Sequence, residues 1–207
     1  MMGRRLAWLT GLIGVSAVCS LGMAHALRHA TPSSTAPAPL PVRGEVPPFS
    51  LTDQHGRTLT RGALEGRVWV ADFIFATCAG QCLLMSDEMG ALQRALAKET
   101  ALRFVSFSVD PVHDTPEVLA AYAARYGADA RWLLVTGPRQ AIYRLCQEGF
   151  HLAVGEDPRS PREPIVHSVR FVLVDRAGRI RGYYEATDAR AMARLRDETR
   201  RVLSEGE

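Results

Sequence analysis

The sequence is poor in the features that mark several large function classes. Its formal net charge is only +3, and Arg4 and Arg5 supply two of those charges, so the remainder is close to neutral. A near-neutral chain lacks the basic footprint that nucleic-acid binding requires, and no nucleic-acid partner is expected. Internal repeats are absent, and so is the C-x-x-C spacing of a dithiol oxidoreductase. Cysteine is scarce, with 4 in 207 residues, which allows each to be weighed singly. What is present is the balance of a globular protein with a real core: 47% apolar and 23% charged residues.

The segment Leu6–Leu27 has no Asp, Glu, Lys or Arg, and follows Arg4 and Arg5. A helix of this length just spans a hydrocarbon core of ~30 Å. The preceding arginines favour a cytoplasmic N-terminus and an exported remainder. Residues 1–27 are therefore expected to be a single-pass anchor in the inner membrane, with the domain on the periplasmic, non-cytoplasmic side. A cleaved signal peptide is the alternative, because Ala24-His25-Ala26 has a small-x-small form. The apolar run exceeds the ~7–15 residues of a usual signal core, which favours the anchor. Residues 28–48, rich in Pro, Ala, Ser and Thr, read as an extended linker.

The domain is expected over residues 49–207. "FSLTDQHGRTLT" reads as a front hairpin, and "VWVADFIFA" as a buried central strand. Apolar residues at helical spacing follow from Cys82 to about Glu99. "LRFVSFSVD" is a second strand. Thr115 as cap, Pro116 at the first position and Gly127 as terminator bound a helix. "RWLLVTG" is a third strand, Pro138–Glu148 a short helix, "HSVRFVLVD" and "RIRGYY" a late hairpin, and the segment from Asp188 the last helix. This order implies an α/β architecture with parallel central strands and antiparallel additions, and it looks like a thioredoxin-like fold with an added N-terminal β-hairpin.

In such a fold "FIFATCAGQC" brings Cys78 and Cys82 to a helix start at one sheet edge. A helix N-terminus favours thiolates, so the pair suits a disulfide or two soft metal ligands. Cys146 shares a face with Ile142 and Leu145 and is expected in the core, while Cys19 falls in the apolar N-terminal segment. Among six histidines, His167 opens the strand expected to run back to the cysteine edge, and His113 is a competitor on the same edge. A Cys₂His set suits Cu(I), can hold Cu(II), and could take Zn(II) with water.

Three motifs, "FIFATCAGQC", "FVSFSVDPVHDTPEVLAAYA" and "VHSVRFVLVDRAGRIRGYY", make the chain resemble the Sco (SenC) family of thioredoxin-fold copper proteins of respiratory membranes. The resemblance implies Cys78, Cys82 and His167 as copper ligands, with Asp110 as a nearby acidic residue that supports the site or docks a partner. It also implies an upstream copper donor, and delivery of copper to, or reduction of cysteines in, the CuA centre of cytochrome c oxidase subunit II. Family members usually carry a proline after each cysteine; here Ala79 and Leu83 stand there. The competing reading is a thiol–disulfide reductase acting through Cys78 and Cys82 without metal. A peroxidase would need a fixed arginine near its cysteine, and the local sequence supplies none.

Overall fold

A computed structural model describes residues 38–78, 80–156 and 165–205. The expected anchor and residues 28–37 of the expected linker lie outside these residues. Among the described residues no helix is long and apolar enough to cross a membrane.

The centre of the molecule is set by the strand that the sequence marks most strongly. Val68–Ile74 (β4) is buried at every position, on both faces of its sheet. It pairs in parallel with Leu102–Ser108 (β5), which pairs in parallel with Trp132–Thr136 (β6). Fully buried parallel strands need apolar residues on both faces, and these segments supply them. Arg170–Val174 (β9) runs antiparallel to β4, and Arg179–Glu185 (β10) runs antiparallel to β9.

The front hairpin is formed by Ser50–Asp53 (β2) and Thr58–Thr60 (β3), and it joins the sheet through β2 beside β6. At the opposite edge Gly44–Glu45 (β1) pairs with β10. The sheet order is thus β1-β10-β9-β4-β5-β6-β2-β3. The chain joins the fold before Phe49: the compact unit runs Pro39–Glu207, and the Leu40 carbonyl accepts from Arg181. A two-residue strand inside a proline-rich stretch has no periodicity by which to be read.

The helices are Gln81–Ala95 (α1), Pro116–Arg125 (α2), Arg139–Arg144 (α3) and Ala189–Ser204 (α4). The boundaries of α2 follow the expected signals. Thr115 Oγ1 accepts from Val118 N, Pro116 opens the helix, and Gly127 takes the left-handed φ of 66° just past its end. The short helix expected to Glu148 is instead α3 continued by a π-helical turn, Leu145–Gly149.

One element departs from the sequence reading in a way that matters. "HSVRFVLVD" is not a single strand. Ile165–His167 (β8) pairs with Val154–Glu156 (β7) in a separate two-stranded ribbon, and the central strand β9 begins only at Arg170. The chain changes sheets at Ser168 and Val169: Ser168 N donates to Ala153 O, and the Val169 carbonyl accepts from Ala186 N.

Candidate metal centre

The site is assembled at the carboxyl end of β4. Cys78 follows that strand, and its N–H donates to Phe75 O. It does not lie in the helix, which begins at Gln81, so the pair is not the helical i, i+4 pair that spacing alone implies. Gly80 is the cap of α1 and has no side chain to bond the first-turn N–H groups. The nearby backbone N–H groups of Cys82 and Gly80 favour the thiolate form of Cys78.

Cys82 is fully buried and Cys78 is 7% exposed. His167 comes from 85 residues along the chain to place Nε2 3.0 Å from Cys82 Sγ. Its other nitrogen, Nδ1, is 3.1 Å from the Ser168 carbonyl. A carbonyl only accepts, so that bond puts the imidazole proton on Nδ1 and leaves the Nε2 lone pair facing the sulfurs. The Phe75 ring packs edge-on against the imidazole, with centroids 5.7 Å apart, which fixes its plane.

The two thiols are not equivalent. The hydrogen bond with Cys82 pulls Cys78 strongly toward thiolate against the opposing effect of burial; His167, when protonated, and the two backbone donors act in the same direction. The same hydrogen bond, followed by burial, holds Cys82 protonated. The Cys82 thiol lies 3.0 Å from His167 Nε2, whose lone pair can accept its proton. Among the described residues the cysteines are free thiols, and no three or more His, Cys, Asp or Glu side chains stand in a ready-made metal cluster. In the metal-free state His167 is in contact with Cys82, and a metal would displace the thiol protons. Two thiol sulfurs and an imidazole lone pair are a soft donor set that fits copper.

The remaining expected residues are placed differently. Asp110 makes no hydrogen bond to the three donors; its Oδ2 is 2.7 Å from His113 Nδ1, and Arg139 approaches its Oδ1 at 3.9 Å. His113, two-thirds exposed, is a partner of Asp110 rather than of the cysteines. Cys146 is buried, and burial pushes its thiol up to about 12.

Two carboxylates that the sequence reading passed over lie behind the site. Asp114 accepts from Ala76 N at 3.1 Å and from Ser108 Oγ at 2.5 Å, tying the loop after β5 to the loop that carries Cys78. Its signal was the Asp110–Asp114 pair framing the turn before α2. Asp72, in the middle of β4, is wholly buried, and neither carboxylate oxygen has a hydrogen-bond partner. Burial pushes it up to about 7, with Ser106 and His167 acting weakly against that rise. A lone acid in the apolar run "VWVADFIF" was the mark that could have flagged it.

Comparison with known proteins places this geometry. The family model SCO1/SenC matches residues 40–203. The SCO1 protein homolog of Bacillus subtilis is 34% identical over 151 residues, covering 72% of this chain and 77% of that protein. A protein of Stutzerimonas stutzeri whose name infers copper binding is 30% identical over 152 residues, covering 71% of this chain and 72% of its own. Among solved structures, BsSco superposes with a TM-score of 0.71 at 29% identity, over 81% of this chain and 98% of that one. BsSco is described as a member of the Sco family of cytochrome c oxidase assembly proteins with a disulfide switch. With the thioredoxin-like sheet, the paired cysteines at its edge and the matched motif all in one frame, the chain belongs to the SCO1/SenC family.

Proposed function

We propose that this protein binds copper through Cys78, Cys82 and His167 and serves cytochrome c oxidase assembly. It delivers copper to the CuA centre of subunit II, or prepares the cysteines of that centre. The observation that carries the reading is the approach of His167 Nε2 to within 3.0 Å of Cys82 Sγ across the fold. A thiol pair working by disulfide exchange has no need of an imidazole lone pair aimed at the buried sulfur. Residues 1–27 hold the domain at the inner membrane with its site on the periplasmic side; the charge-free run after Arg4 and Arg5 supports this.

Metal uptake begins at Cys78, the thiolate-prone and less buried sulfur. Cys82 then gives up its proton and His167 supplies its lone pair. The ribbon carrying His167 is a sheet of its own, seated on the core through Val154 and Ile165, so the third ligand stands on a different element from the two sulfurs. That suits a carrier, which must release as well as bind.

A second reading rests on the same asymmetry. A thiolate beside a protonated thiol is also the arrangement of a disulfide reductant, with Cys78 attacking and Cys82 resolving. Titration of the reduced domain, residues 28–207, with Cu(I) and Cu(II) against a competing chelator separates the two. The copper reading expects one-to-one binding, abolished for Cu(I) by Cys78→Ser or Cys82→Ser, with His167→Ala weakening Cu(II) more than Cu(I). Binding indifferent to His167 points to the reductase.

A further inference from the structure

The third donor, His167, stands on an element that the central sheet does not hold. Its ribbon is a sheet of its own, in which Val154 is the direct partner of His167. Val154 and Ile165 seat the ribbon on the core, and its polar links set where the imidazole lies above that seat. Gln147 Nε2 donates to Val154 O at 3.0 Å. At the end of β7, Glu156 is ion-paired with Arg139, the first residue of α3. Arg139 reaches the other way as well, to Asp110 Oδ1 at 3.9 Å.

Asp110 is not an ordinary surface carboxylate. Its side chain is 8% exposed, and its neighbours are the His113 imidazole and the Arg139 guanidinium. It lies on the loop that Asp114 ties to Ala76, two residues before Cys78. A chain of contacts thus runs from the cysteine loop, through the loop after β5, across one guanidinium, to the ribbon and His167. An arginine suits this role because its planar fork addresses two carboxylates at once.

We propose that Arg139 is a positioning residue for the metal centre: by bridging Asp110 and Glu156 it sets the place of the His167 ribbon over the cysteines. The proposal rests on the copper reading for its consequence, but not for its geometry.

Both links are tested in the metal-free and the copper-loaded domain, using Arg139→Ala, Glu156→Ala, the double variant and Arg139→Lys. In the metal-free domain, amide hydrogen exchange is followed at Val154–Glu156 and Ile165–His167. Partly exposed ion pairs contribute up to about 1 kcal/mol, so each alanine variant should raise ribbon exchange about two- to fivefold. The double variant should go no further than the singles, since both remove one linkage. Arg139→Lys should recover part of the protection. Cu(II) affinity should fall by a similar factor while Cu(I) affinity, dominated by the thiols, holds. Ribbon exchange at the wild-type level in both single variants overturns the proposal, whatever copper does. Raised exchange with Cu(II) affinity indifferent to both Arg139→Ala and His167→Ala keeps the bridge and removes the copper reading instead.

Discussion

At the scale of single residues, the site is governed by where protons sit. Cys78 is drawn toward thiolate by Cys82 and by the free N–H groups at a helix start, while Cys82 and Cys146 are held as thiols. Alkylation with iodoacetamide at pH 6, followed by peptide mapping, should modify Cys78 first and leave Cys82 and Cys146 largely intact. Equal labelling would contradict the asymmetry. Asp72 gives a second prediction, with its sign fixed by linkage. Its folded pKa, about 7, lies above the ordinary carboxylate value, so the folded state binds the extra proton. Stability is then fully present below about pH 4 and declines as pH rises toward 7. Urea unfolding should show this decline in the wild type and a flatter profile in Asp72→Asn. The difference should reach roughly 1–4 kcal/mol at pH 8. Parallel profiles would mean that Asp72 has a partner after all.

At the scale of elements, the loops around the cysteines are held by side chains rather than by regular structure. Asp114 joins Ala76 N to Ser108 Oγ, so Asp114→Ala leaves a part-buried N–H and a buried hydroxyl without their acceptor. A loss of about 1–3 kcal/mol by denaturant titration is expected, since unsatisfied buried groups carry about that penalty. The elements that the sequence announced are those with their own periodicity or caps: β4, α2 with Thr115, Pro116 and Gly127, and α4 with Asp188 bonding Arg190 N. Those it did not announce are defined by what they meet in space. Strand β1 exists because β10 offers an edge, and the β7–β8 ribbon exists because two short segments pair with each other. The same division holds for the site. Cys78 and Cys82 were legible from the strand before them, and His167 from the chain's return to the same edge. The split of "HSVRFVLVD", the Arg139 bridge and the support from Asp114 depend on tertiary neighbours. Leu83 also gains a meaning: its N–H donates to Gly80 O, a bond that a proline at this position could not make.

At the scale of the whole molecule, a mixed sheet with a parallel centre sets the two cysteines at the end of its middle strand, and a separate ribbon brings the imidazole to Cys82. The proposed copper-carrier role thus draws its donors from two elements, with the ribbon seated on the core through Val154 and Ile165. The central claim is that one copper ion sees all three side chains together. X-ray absorption at the copper edge of the Cu(I)-loaded and Cu(II)-loaded domain tests it most directly. Two sulfur scatterers and one imidazole are expected in the wild type, with the imidazole signature lost in His167→Ala and both sulfurs kept. An unchanged spectrum in His167→Ala, or a wild type with sulfur alone, would contradict it.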